Sequence, residues 1–153
     1  MKLEPWYVTG LCDGDGSFSY SRRGKGLAAL YFSVKLTAVD RPLLERLQEY
    51  FGDLGTIYDV RPSSQKANAG WTKRSLYYRV THTHDLQAVV EHFDRYPPQG
   101  RRNEVYAVWR ELYEIRRVWR YRRKMPEEEL TRFGELLERL SSLSPRNQPW
   151  SGT

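Results

Sequence analysis

Between Leu30 and Thr37 the chain alternates without a break. Leu30, Phe32, Val34 and Leu36 are apolar, and Tyr31, Ser33, Lys35 and Thr37 between them carry polar groups. Successive side chains of a strand point to opposite sides of a sheet, so a period of two marks a strand with one face buried and the other open. The same alternation occurs upstream, where Phe18 and Tyr20 interleave with Ser17, Ser19, Ser21 and Arg23. It returns downstream, where Leu76, Tyr78 and Val80 interleave with Ser75, Tyr77 and Arg79. A sheet built this way needs a second layer to cover its apolar face.

That layer is legible as helices. Pro5 suits the first turn of a short helix over residues 4–14, in which Gly10 and Gly14 share one face. Asp40 as N-cap, Pro42 in the first turn and the stripe Leu43, Leu44, Leu47, Phe51 predict a helix over 41–51. Further helices are expected over 84–95, stopped by Pro97-Pro98, over 103–120, and from Pro126 to about Leu140. Residues 22–26 are expected to make a basic hairpin tip between the first two strands. Gly55–Arg61 and Trp71–Thr81 form a second hairpin around the polar stretch 63–70. The order predicts one α+β domain over residues 1–143, αββαββα with a curved four-stranded antiparallel sheet and C-terminal helices, followed by a loose tail over 144–153.

Charge gives this sheet a direction. The chain has 25 Lys+Arg against 19 Asp+Glu, a formal net charge of +6. On the polar face, Arg23, Lys35 and Arg79 would gather with the hairpin-tip residues Arg22, Lys25, Lys66, Lys73 and Arg74. A saddle with this lining can neutralise phosphates and reach base edges in a major groove. The competing reading of the same residues is a solvated sheet face. Cys12 is the only cysteine, so no internal disulfide framework or multi-cysteine zinc site is available. No apolar run approaches the roughly 18 residues of a membrane span, and residues 1–15 lack a signal-peptide core. A soluble intracellular protein is expected, in a bacterial or archaeal cytoplasm or an organelle.

The junction between the first helix and the first strand reads VTGLCDGDG, Val8 to Gly16, with acids at Asp13 and Asp15. A plain turn is one reading, since Asp and Gly are common turn formers. An EF-hand loop fails, because Phe18 stands where its glycine belongs and Gly24 where its bidentate glutamate belongs. A phosphate-cradling loop fails for want of a preceding strand and a following Lys-Ser or Lys-Thr, and no small-molecule cofactor is expected. His82, His84 and His92 lie far from this junction in sequence and read as hydrogen-bonding residues rather than metal ligands.

The stretch VTGLCDGDG resembles the LAGLIDADG motif, with glycine third, acids sixth and eighth and glycine last. Trp6-Tyr7 before it, Ser17-Phe18 after it, the element order over residues 4–120, and Tyr96-Pro97-Pro98-Gln99-Gly100-Arg101-Arg102 followed by Trp109 strengthen the likeness. The chain resembles a single-motif, homodimeric LAGLIDADG homing endonuclease. The resemblance implies site-specific cleavage of long, pseudo-palindromic double-stranded DNA with Mg2+ or Mn2+, leaving 3′ overhangs and spreading a host intron or intervening element. A non-cleaving DNA-binding protein or an RNA-splicing maturase of the same family is the alternative. By the same resemblance, Asp15 is the catalytic acid and a metal ligand, the Gly14 carbonyl is a second ligand, and Asp13 caps or buttresses the helix end. Arg101, ahead of Arg102, stands where the family commonly has a lysine, and Ala38 where it often has a polar, water-positioning residue. The helix pairs with its copy through Tyr7, Thr9, Gly10, Cys12 and Asp13. The DNA-binding face then comprises Ser17, Ser19, Ser21, Arg22, Arg23, Lys25, Tyr31, Ser33, Lys35, Thr37, Thr56, Tyr58, Lys66, Lys73, Arg74, Ser75, Tyr77 and Arg79.

Overall fold

A computed structural model describes residues 2–22, 26–60 and 74–144. The expectations placed on Arg23, Lys25, Lys66 and Lys73, and on the tail beyond Ser144, lie outside the described residues.

The elements follow in the expected order: α1 (Pro5–Asp15), β1 (Gly16–Ser21), β2 (Ala29–Thr37), α2 (Arg41–Tyr50), β3 (Thr56–Val60), β4 (Ser75–Val80), α3 (Thr83–Arg95), α4 (Arg102–Val118) and α5 (Glu127–Ser142). The strands form one antiparallel sheet in the order β1-β2-β4-β3, so β2 and β4 are its interior strands. The alternation read from sequence sets its two faces. Phe18, Leu30, Phe32, Val34, Leu76, Tyr78 and Val80 are all buried on the side that meets the helices.

Against this face the helices present Val8, Leu44, Leu47, Val89, Phe93, Trp109 and Leu112. Each such buried side chain contributes about 1.5–3 kcal/mol. The rings of Phe18, Phe32, Phe93 and Trp109 form the centre, with Phe18 lying 5.0 Å from Phe93 and 5.2 Å from Trp109. Trp109 is fully buried, and its indole N–H donates to the Ser19 carbonyl at 3.0 Å, which satisfies its one polar atom and ties α4 to β1. α5 lies along α4 and seals it with Phe133, Leu137 and Leu140.

Two glycines are required by space. Gly16, where α1 turns into β1, would place a Cβ 2.7 Å from the Cys12 carbonyl oxygen, so no larger residue fits this turn. Gly55, ahead of β3, has φ +83° and would place a Cβ 2.7 Å from the Arg79 carbonyl oxygen.

Asp40 departs from its expected role. Ala38–Asp40 form a 3-10 turn, and the Asp40 carboxylate accepts from the Thr37 hydroxyl at 3.2 Å while making no cap bond to α2. The turn places the Asp40 side chain beside the residue that ends β2, and a short carboxylate takes the nearest donor. Among the described residues no helix is long and apolar enough to cross a membrane.

Candidate active site and nucleic-acid interface

α1 has an inner and an outer side, and the phase of the helix decides which residues take which. Val8, Thr9 and Cys12 are buried, whereas Trp6, Tyr7, Gly10, Gly14 and Asp15 are exposed. The inner side is held by a relay of hydrogen bonds. The Thr9 hydroxyl donates to the Tyr96 carbonyl at 2.7 Å and lies 2.9 Å from His92 Nε2. Its single proton is thus committed, so His92 Nε2–H must donate to Thr9 Oγ1. Nδ1 is then the acceptor for the Tyr50 hydroxyl at 2.8 Å. Burial favours this neutral ring and lowers the pKa of His92 to about 4.

Two residues expected at the contact with a second copy are corrected by this geometry. Thr9 and Cys12 are each 1% exposed, and their side chains face the chain's own core. Burial pushes the Cys12 thiol well up, so it is an inert packing group. Tyr7 and Gly10 do lie on the outer side, where a Cβ on Gly10 or Gly14 would meet nothing within 4 Å.

The two acids of the motif differ as sharply. The Asp13 carboxylate accepts from the backbone N–H of Gln99 at 2.8 Å and of Gly100 at 3.3 Å, which anchors the loop entering α4. Arg102, at the start of α4, returns the contact. Its Nε donates to the Gly16 carbonyl at 2.5 Å and its Nη1 donates to the Asp13 carbonyl. The last turn of a helix leaves its carbonyls without intrahelical partners; Arg102 takes that of Asp13, and by also binding the Gly16 carbonyl at the start of β1 it spans Gly14-Asp15. Asp15 itself is exposed and makes no hydrogen bond or ion pair among the described residues. Asp13 is therefore a fastening between α1 and the α4 entry within its own chain, and its carboxylate is not free for a second copy.

The arginine pair also divides. Arg101 is exposed and, among the described residues, its Nη1 donates to the Leu143 carbonyl at 3.4 Å, whereas Arg102 is engaged with backbone. No group of three or more His, Cys, Asp or Glu side chains gathers to hold a metal ion among the described residues. One chain thus offers a partial oxygen shell, the exposed Asp15 carboxylate with the Gly14 carbonyl in the same last helical turn. Those are the hard donors that magnesium or manganese accepts.

The polar face of the sheet is laid out in rows by its register. Ser17, Ser33, Arg79 and Thr56 stand side by side across the four strands, and Lys35, Tyr77 and Tyr58 form the next row. Ser19 pairs with Tyr31, and Thr37 pairs with Ser75, while Ser21 ends β1 on the same face. Ser33 is a correction to the expected contact surface. It is 3% exposed, on an interior strand level with the much longer Arg79, so as it stands it cannot touch a ligand. Arg74 is paired with Asp59 through Nε at 3.0 Å and through Nη2, on an exposed edge. Arg22 leans over the ring of Tyr20, 5.8 Å from its centroid, on the parity opposite to Ser19 and Ser21.

A family model described as "LAGLIDADG endonuclease" matches residues 8–113. The chain belongs to this family. Among curated relatives, the "Probable intron-encoded endonuclease 3" of Neurospora crassa is 30% identical over 103 residues, covering 63% of this chain and 17% of that protein. The "Uncharacterized 50.9 kDa protein in ND4 intron 1" of Podospora anserina is 29% identical over 117 residues, covering 71% of this chain and 23% of that protein. The LAGLIDADG chain thus spans about a fifth of the length of the curated relatives it matches. Among solved structures, I-SmaMI bound to an uncleaved DNA target in the presence of calcium ions has TM-score 0.74 at 24% identity, covering 96% of this chain and 48% of that one. The homing endonuclease I-GzeII in complex with its DNA target has TM-score 0.67 at 21% identity, covering 93% and 44%. At these identities the likeness is one of fold, and it matches the four-stranded antiparallel sheet with its helices.

Asp13 and Thr9 were expected at the site, Asp13 as a buttress of the helix end, but their partners Gln99, Gly100 and Tyr96, and Tyr50 beyond His92, were not. The paired residues lie more than 80 residues apart along the chain, or on different helices, and no local spacing announces them.

Proposed function

We propose that this chain is one half of a site-specific DNA endonuclease, acting with a second copy of itself on a long, near-palindromic duplex. It hydrolyses phosphodiesters with Mg2+ or Mn2+, leaves 3′ overhangs and spreads a host intron or intervening element. The observation that carries the reading is the division of labour between the motif's acids. Asp13 is fastened within the chain, while Asp15 stands free and exposed at the helix tip. Beside it the outer face of α1 is open at Gly10 and Gly14, so two such helices can approach closely and bring two Asp15 carboxylates together. The solved relatives, roughly twice as long as this chain, support a working unit of two such halves.

Asp15 and the Gly14 carbonyl would hold the ion, which supplies a water of lowered pKa and neutralises charge on the phosphate. Arg101 is free to pair with a phosphate through its planar fork, but a guanidinium does not shuttle protons. Arg102 fixes the carbonyls that flank the acidic tip and so positions Asp15 rather than touching substrate. The rows Ser17 to Thr56, apart from the buried Ser33, and Lys35 to Tyr58 meet the major groove. The net charge of +6 per chain makes binding fall steeply with salt.

The alternative, a non-cleaving DNA-binding protein or RNA-splicing maturase, draws on two observations. Arg102 is engaged with backbone, and Ala38 offers no polar group at the end of β2. A randomised duplex library incubated with the protein and magnesium separates the readings. Wild type should cut a defined set of sites, and Asp15→Asn should bind the same set while cutting at least roughly 10²-fold more slowly. An Asn variant that cuts at the wild-type rate sinks the site assignment, and enrichment of bound but uncut duplexes favours the alternative.

A further inference from the structure

Arg79 occupies an unusual environment in the middle of the polar sheet face. It lies on β4, an interior strand, level with Ser33 on one side and Thr56 on the other. Its guanidinium carbon sits 4.2 Å from the centroid of Tyr31, 5.5 Å from that of Tyr58 and 5.8 Å from that of Tyr77. Tyr58 and Tyr77 are themselves stacked at 5.7 Å with planes 16° apart. Arg79 forms no ion pair or hydrogen bond among the described residues, and its Nε is buried without a partner. A cation half-buried among three rings is held by their faces, and all five N–H donors of the fork remain unused.

Resting on the DNA reading above, we propose that Arg79 is a preorganised guanine reader: its fork, braced by Tyr31, Tyr58 and Tyr77, donates in the major groove to O6 and N7 of one guanine in each half-site. Ring contact restricts the rotamers of a long side chain before DNA arrives, so less freedom is lost on binding. A planar pair of parallel N–H groups matches the two acceptors on the guanine edge and no other base presents that pair. A phosphate could also take the fork, but phosphates run along the rims of a duplex lying on the sheet. Arg79 sits two strands in from the β1 edge and one in from the β3 edge.

The test is a binding selection from a randomised duplex library with the full chain in calcium, comparing wild type with Arg79→Gln, Arg79→Lys and Tyr31→Leu. Wild type should enrich a guanine at one fixed position of each half-site. Arg79→Gln should lower preference for that guanine roughly ten- to hundredfold and turn it toward adenine, to which an amide donates and accepts in pairs. Arg79→Lys keeps the charge on the rings, and so the salt dependence of binding, and should weaken the same preference less than Gln does, because an ammonium can still donate to O6 and N7 but lacks the planar fork. Tyr31→Leu should weaken preference at that position alone. The proposal is overturned if Arg79→Gln leaves the same guanine enriched, or if the two Arg79 variants weaken every sequence alike, as a phosphate contact would. Failure of wild type to enrich any duplex overturns instead the DNA reading on which the proposal rests.

Discussion

The inner and outer sides of α1 are built from the same short stretch and are finished in opposite ways. On the inner side every polar group has a partner in its own chain: Thr9 with His92 and Tyr96, Asp13 with Gln99 and Gly100. On the outer side Gly10, Gly14 and Asp15 are exposed, a Cβ on either glycine would meet nothing within 4 Å, and the carboxylate makes no bond among the described residues. The contrast teaches that the motif does two jobs with one helix. Its inner residues fix the tip in place against α3 and the α4 entry, and its outer residues leave chemistry and close approach to whatever comes from outside. Polar satisfaction, more than residue type, separates the structural acid from the candidate catalytic one.

Protonation should break the inner side with the largest effect. Burial among apolar groups holds the His92 ring neutral and lowers its pKa to about 4, against an ordinary histidine near 6.5 in the unfolded chain. Between those values the unfolded state binds the extra proton and the folded state does not. Stability contributed by the neutral ring is thus full above about pH 6.5 and is lost as the pH falls toward 4. The slope from this group approaches about 1.4 kcal/mol per pH unit. Denaturant melts of wild type and His92→Gln from pH 7.5 to 4 check it; equal pH dependence in the two would remove His92 from the account.

The two acids come next. Asp13→Ala leaves the Gln99 and Gly100 N–H groups without their carboxylate and should cost about 1–2 kcal/mol of stability. Asp15→Ala removes no contact and should stay within about 0.5 kcal/mol of wild type. Urea midpoints on the two variants measure the difference directly. If Asp15→Ala proves the more destabilising, the free acid has a structural partner and the contrast between the sides fails.

Most of the architecture was legible because it rests on periodicity. The alternation at 17–21, 30–37 and 75–80 predicted both strands and faces, and Pro42 and Pro97-Pro98 marked helix ends to within a residue or two. Size was a poorer guide than phase at α1. Thr9 and Cys12 are small and so suit a close helix contact, yet they fall with Val8 on the buried stripe, while Tyr7, Gly10 and Gly14 fall together opposite it. Asp40 illustrates competition: an acid before a proline-led helix reads as a cap, but the nearer Thr37 hydroxyl claims it. The fastening of Asp13 to Gln99 and Gly100 spans 86 and 87 positions, and the loop Pro97–Gly100 has no pattern that names its partner. The burial of Ser33 likewise goes with its place on an interior strand beside the long Arg79, which strand pairing alone determines.

The smallest effect on the folded chain, and the sharpest on the comparison, is expected at Gly10. A glycine inside a helix costs about 0.5–1 kcal/mol relative to alanine through the freedom it loses on folding. Because a Cβ at Gly10 meets nothing within 4 Å, Gly10→Ala should return that amount as added stability of the single chain. Gly10→Leu should fold equally well for the same reason, with its side chain standing out from the outer face. Under the proposed pairing, however, that side chain would hold two α1 backbones apart, and Gly10 would be glycine for the sake of the second helix alone. Sedimentation of wild type and Gly10→Leu, with and without a bound duplex, reads the second consequence, and thermal melts at matched concentration read the first. A Gly10→Leu chain that melts like wild type and sediments as a monomer, where wild type sediments as a dimer, makes the outer side of α1 the contact. One that still dimerises with unchanged affinity moves the contact elsewhere and leaves the open glycine face without a role.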